Sequence, residues 1–414
     1  MSLGRRSMLT TGLATGAAAA AAASLPRVAR AQAANTIRIG VLNDQSGIYR
    51  DITGPTSVAC TRQAIQDFGA AGFQVDVLVA DHQNRPDLAV SLARQWYDRD
   101  GVDMILDVPN SAVALAVSGV TREKNKVCLN AAAATTDLHG PQCSPNTVHW
   151  TFDTYMLAKS TGGALVKAGG ESWFFITADY AFGHALERDT GAFVRNSGGQ
   201  VLGSVRTPFP GNTDFSSFLL QAQASRAKVI GLANAAGDTI NCIKQAAEFG
   251  LTRRGVKVAA LLLFLNDVHG LGLATAQGLV CSETFYWDLN DRTRAFTARV
   301  RPRTPENLPC MIQAGCYSAT LHYLKTVQDM GIAAAKGPGT EVVARMKAMP
   351  TDDDCFGPGR IREDGRKLHP VYLFEVKTPA ESRGPWDYYK LLQTTPAEEA
   401  FRPMAEGNCP LVRS

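Results

Sequence analysis

The chain has 414 residues, 45% of them hydrophobic and 19% charged, enough to bury more than one core. Its formal charge of +4 is carried by Arg5, Arg6, Arg27 and Arg30 in the first 33 residues, which hold no acid, so the remainder is near neutral. With no basic tract interleaved with aromatics, the composition argues against nucleic-acid or anionic-membrane binding.

The N-terminus runs from Arg5-Arg6 through an apolar stretch, Met8 to the alanines at 17–23, into "ARAQA". Charged, apolar and small residues in that order form an export signal, with cleavage expected after Ala33 and no following Cys to make a lipoprotein. "GRRSML" resembles a twin-arginine signal, with Gly4 and Met8 at positions where other residues are usual, so the Tat route is favoured over Sec and the periplasm is the expected compartment.

From residue 36, β-branched runs alternate with amphipathic stretches: "TIRIGVL", "FQVDVLVA", "VDMILDV" and "KVCLNA", separated by expected helices at 55–68, 86–97 and 111–123. After the irregular "TTDLHGPQCSPNTVHWTFDT" the pattern repeats with "SWFFITA", "QVLGSVRT", "KVIGLAN" and "VKVAALLLF". Such alternation gives βαβ units, hence an α/β protein of two doubly wound parallel-sheet lobes. Lobe one is expected at 34–149 with 286–368 returning to it, and lobe two at 150–285 with 369–395 returning. A tail occupies 396–414. "HPVYLFEVK" and "WDYYKLL" read as an antiparallel pair.

Nine Cys, an odd number, leave at least one thiol free. Without CxxC pairs or clustered His, no metal or other cofactor is expected. Cys143 and Cys409, in polar Pro-flanked segments, are the best candidates for a bridge in an oxidising compartment.

Ligands of open parallel sheets bind beyond the carboxyl ends of the strands, so the loops there nominate the site. Asn110-Ser111 opens a helix and suits an anion such as a carboxylate, or a plain helix cap. The "NAAAATT" loop, with Ala133, Ala134 and Thr135, offers backbone close to a ligand, or simply tight packing. Tyr49, Tyr180, Phe182 and Phe264 could sandwich an apolar body, Asn234 ends another strand, and Asp267 could accept from an ammonium or serve as a turn residue. GxSxG, P-loop and GxGxxG motifs are absent, which argues against hydrolase, NTPase and dinucleotide chemistry.

The segments "IRIGVLNDQSG", "DYAFGHALERD", "GNTDFSSFLLQAQ", "DTINCIKQAAEFGL", "YWDLND" and "GRIREDGR" resemble, in order and spacing, the periplasmic solute-binding proteins of ABC importers of the branched-chain amino acid (Leu/Ile/Val-binding) type. That resemblance implies lobes joined by three crossings, hinged closure on a small-molecule ligand, a membrane permease as partner, no enzymatic activity, and a monomer. It matches Ser111 to the hydroxyl that binds the ligand carboxylate, Ala133 and Ala134 to the next ligand loop, Phe182 to an aromatic before a Gly, and Ile52 to a residue covering the ligand. Where the family has a Thr this chain has Ala134, and the acid that would hold an α-ammonium has no secure equivalent, Asp267 being only close. An aromatic carboxylate is therefore expected ahead of a hydrophobic amino acid. A ligand sensor of the same fold and an exported enzyme are the alternatives.

Overall fold

The computed structural model describes residues 35–69 and 72–412; the expected leader, its twin-arginine motif and its cleavage point lie outside them. The first sheet contains β1 (Thr36–Asn43), β2 (Gln74–Asp81), β3 (Met104–Asp107), β4 (Val127–Asn130) and β5 (Thr147–His149), all parallel, in the order β2-β1-β3-β4-β5. Helices cover both faces, so β3 and β4 are buried at every position and β1 at all but one, with apolar runs in place of alternation. At Gly40 an added Cβ would lie 2.5 Å from the Trp96 ring, so the missing side chain lets that indole seat against the sheet.

The second sheet contains β6 (Ser172–Ala178), β7 (Gln200–Thr207), β8 (Val229–Ala233) and β9 (Lys257–Ala260), parallel in the order β7-β6-β8-β9. Next come β10 (Val280–Glu283), a short hairpin of β11 (Arg360–Ile361) and β12 (Lys367–Leu368), then β13 (Val371–Val376) and β14 (Tyr389–Thr395). Strands β10-β13-β14 form an antiparallel sheet whose Phe374, Val376 and Tyr389 share a core with Ile176 and Leu232 of the second sheet.

Three passages join the two bodies. Residues 150–153 lead from β5 towards β6. After β10 the chain returns to the first body, where the helix Met311–Met330 packs along the helix Gly54–Phe68. Residues 369 and 370 join β12 to β13, close to where Arg366 bridges to His149. The Arg366 guanidinium, fully buried, donates to the carbonyls of His149 (2.8 Å) and Thr151 (2.9 Å) and lies 3.1 Å from the Asp153 carboxylate. It thereby pins the first passage to the third; burial holds it down at about 10 although Asp153 pulls the other way. Cys143 and Cys409 form a disulfide, with Cα atoms 5.7 Å apart, that fastens the C-terminal segment to the stretch before β5. The other seven cysteines are free and buried.

Candidate functional site

The loops beyond β1, β3 and β4 meet those beyond β6, β8 and β9 across a shared cavity. The first body supplies Tyr49, Ile52, Pro109, Asn110, Ser111, Ala132, Ala133 and Ala134; the second supplies Tyr180, Phe182, Ala235, Leu262 and Phe264. Phe152, from the first passage, and Ile312, near the start of the helix Met311–Met330, complete the lining.

The loop after β1 is shaped by Asp44, whose carboxylate accepts from the amides of Gly47 (2.6 Å) and Tyr49 (2.9 Å) and from the Asn84 side chain (2.5 Å). A Cβ at Gly47 would lie 2.7 Å from that carboxylate, so a larger residue there would push against the group that shapes the loop. The result brings Tyr49, 4% exposed, to the cleft, where its hydroxyl hydrogen-bonds the Tyr180 hydroxyl from the opposite body. Phe209 stacks on both rings, at 4.3 Å from Tyr180 and 5.5 Å from Tyr49. Burial, then Tyr180, then the nearby Asp238 hold the Tyr49 phenol well above its usual range, so the pair stays neutral.

On the loop after β3, Asn110 adopts a φ of 72° and its Oδ1 accepts from the amides of Ala112 (3.0 Å) and Val113 (3.3 Å), capping the helix Ser111–Glu123. Ser111 Oγ accepts the Thr135 amide at 3.2 Å, which leaves its own hydroxyl hydrogen to donate elsewhere. Asn130 ties the neighbouring loops, donating to the Val108 carbonyl and accepting from the Ala133 amide, each at 3.0 Å. His149 Nε2 lies 2.7 Å from the Ala133 carbonyl, which fixes the alanine loop from behind.

Nine of the expected residues therefore line one cavity: Tyr49, Ile52, Asn110, Ser111, Ala133, Ala134, Tyr180, Phe182 and Phe264. Three do not. Thr135 turns its hydroxyl to the Asp137 amide (3.3 Å), capping a short helix. Asn234 is occupied by Thr239 (2.8 Å) and the Cys242 sulfur (3.4 Å). Asp267, the expected ammonium acceptor, accepts instead from the Phe264 amide at 2.9 Å, and burial raises its carboxyl to about 7. An Asp at the third position of a helix reaches its own N-terminus more easily than a cleft, so the capping geometry wins.

Phe152, Leu262 and Ile312 were not anticipated as lining, nor was Phe209 behind it. Phe152 sits in a passage with no strand-end signal, Ile312 is far along the chain, and Phe209 lies in a Pro/Gly loop. All lining side chains are uncharged. The nearby Asp238 is buried with both carboxylate oxygens unpartnered, and that burial lifts it to about 7.

A profile of periplasmic binding proteins matches residues 36–384. The chain belongs to the periplasmic binding protein family. A periplasmic binding protein from Burkholderia mallei is 47% identical, covering 92% of this chain and 100% of that one, with a TM-score of 0.87. A branched-chain amino acid ABC transporter periplasmic ligand-binding protein from Burkholderia xenovorans LB400 is 38% identical, covering 91% and 99%, with a TM-score of 0.79. The Leu/Ile/Val-binding protein homolog 6 of Brucella melitensis is 24% identical over 360 residues, 84% of this periplasmic binding protein and 89% of that relative. The two-lobed parallel architecture of this binding protein is thus the type I fold of the family.

Proposed function

We propose that this periplasmic binding protein captures a small carboxylate with an apolar, aromatic body between its lobes and presents it to the membrane permease of an ABC importer. The observation that carries the reading is the uncharged lining of the cavity. A carboxylate would accept from the Ser111 hydroxyl at the N-terminus of the 13-residue helix Ser111–Glu123, where the helix dipole favours negative charge. Phe152, Phe182, Phe264 and the two tyrosines supply faces and edges for a ring. An α-ammonium would be buried without a carboxylate among the lining residues, a penalty of several kcal/mol.

The ligand selects the closed form, and Tyr49 meeting Tyr180 belongs to that closed arrangement. On this reading the protein delivers its ligand unchanged and works as a monomer in the periplasm, which it reaches by the twin-arginine route, its signal being cleaved near Ala33. The relative named for branched-chain amino acids keeps hydrophobic amino acids in the test. Calorimetric titration with benzoate, 4-hydroxybenzoate, cinnamate, leucine and valine is expected to show the tightest binding among the aromatic acids. Tight binding of leucine or valine with none of the aromatic acids would overturn the ligand class.

A further inference from the structure

Glu283 ends β10 and precedes the second passage between the lobes, and its side chain is fully buried. One carboxylate oxygen accepts the amide of Leu265 at 3.0 Å and the Tyr389 hydroxyl at 3.3 Å; the other accepts the amide of Met311 at 3.4 Å. Leu265 begins the helix that follows Phe264, a cavity residue of lobe two. Met311 begins the helix that packs on lobe one and carries Ile312, another cavity residue. The same helix start reaches further: Gln313 donates to the carbonyls of Asp51 (3.0 Å) and Thr53 (3.2 Å), on either side of Ile52. Each half of the cleft thus has a wall whose backbone is referenced to one carboxylate.

We infer that Glu283 is a positioning residue for ligand capture: by holding the starts of two helices from opposite lobes, it sets the separation of Phe264 from Ile312 and Ile52 on closure. The inference rests on the reading of the cavity as the ligand site. Its chemistry is specific to the ionised carboxylate, whose two oxygens both accept; burial raises this group to about 8, so the variants are compared with wild type at about pH 9, above that value. A glutamine has one, and whichever helix start that oxygen serves, the NH₂ group opposes the amide of the other. The two amides lie at the first turns of their helices, where backbone donors have no partner within the helix, so the lost contact is not replaced locally.

The test uses Glu283→Gln and Tyr389→Phe in the full mature chain, with benzoate as probe, and reads calorimetric affinity, ligand-free melting temperature and X-ray scattering with and without benzoate. Glu283→Gln is expected to weaken benzoate binding about tenfold or more, and Tyr389→Phe about two- to fivefold, from the strengths of the hydrogen bonds lost. Scattering at saturating benzoate should show less compaction than wild type. A lowered melting temperature with unchanged affinity and unchanged compaction would reduce Glu283 to a fold-stabilising residue and overturn the inference. Should Glu283→Gln fail to fold, Tyr389→Phe with wild-type affinity and compaction would do the same. If wild type ignores benzoate, the proposed ligand class fails, while a difference in ligand-free compaction between wild type and the variants still supports the positioning role and identical compaction rejects it.

Discussion

Tyr49→Phe isolates the contact that spans the cleft. The variant keeps the ring, and with it the stacking on Phe209 at 5.5 Å, but removes the hydroxyl that meets Tyr180. A hydrogen bond of this kind contributes about 0.5–1.5 kcal/mol net, and leaving the Tyr180 hydroxyl without its partner costs up to about 1–3 kcal/mol more if no water replaces it. With water replacing most of the lost partner the loss is about 1–2 kcal/mol, which at 1.4 kcal/mol per factor of ten weakens binding about 5- to 30-fold. Because the contact joins the two lobes, the loss falls on the closed form alone, and the open, ligand-free protein should melt almost where wild type does. Titration calorimetry with benzoate and scanning calorimetry without ligand measure the two effects. Tyr180→Phe and the double variant complete a cycle whose coupling is expected near 1 kcal/mol. Wild-type affinity in Tyr49→Phe, or strict additivity in the double variant, would refute the idea that the hydroxyl pair latches the lobes.

Ser111→Ala removes the proposed donor to the ligand carboxylate and should weaken aromatic acids about 10- to 100-fold, the range for a hydrogen bond to a charged group, as read by calorimetry. Replacing Cys143 and Cys409 together by Ser frees the ends of a 266-residue separation and should lower stability by about 2–5 kcal/mol, seen as a lower melting temperature that dithiothreitol reproduces in wild type. Burial raises Asp107 to about 6, Asp238 and Asp267 to about 7 and Glu283 to about 8. These folded values exceed the unfolded ones, so their contribution to stability is complete below the usual carboxylate pKa and is lost as pH rises through about 6 to 8. Between about pH 7 and 8, above the range in which the buried neutral histidines, such as His82 and His322 held at about 4, add stability with rising pH, scanning calorimetry should show a falling melting temperature; a rising one there would contradict the assignment of buried, protonatable carboxyls.

Much of this was legible because a parallel sheet places its active loops by rule. Once β1, β3 and β4 could be recognised as buried apolar runs, the positions of Tyr49, Ser111 and Ala133 followed from the strand ends, whatever the ligand. Residues that reach the cavity through tertiary packing carry no such mark. Ile312 arrives by way of a helix from the second passage, and Phe209 backs the two lining tyrosines from a loop after β7 whose sequence reads only as a turn. Asp267 shows the opposite difficulty, since its position beside the cleft was foreseeable while its choice of the Phe264 amide depended on backbone geometry. Glu283 looked like an ordinary strand residue, and its significance comes from two helix starts that converge on it from distant parts of the chain.

The seven unpaired cysteines are buried, and burial pushes their thiols upward, so maleimide chemistry on the native chain meets little competition from within. A single new thiol at the exposed Arg50, next to Tyr49 on the loop that faces the opposite lobe, would be the preferred point of attachment for a dye. Lobe movement would then change the polarity around the fluorophore, turning the molecule into a reagentless optical sensor for its own ligand. The native sequence thus supplies a labelling scaffold in which no cysteine has to be removed first.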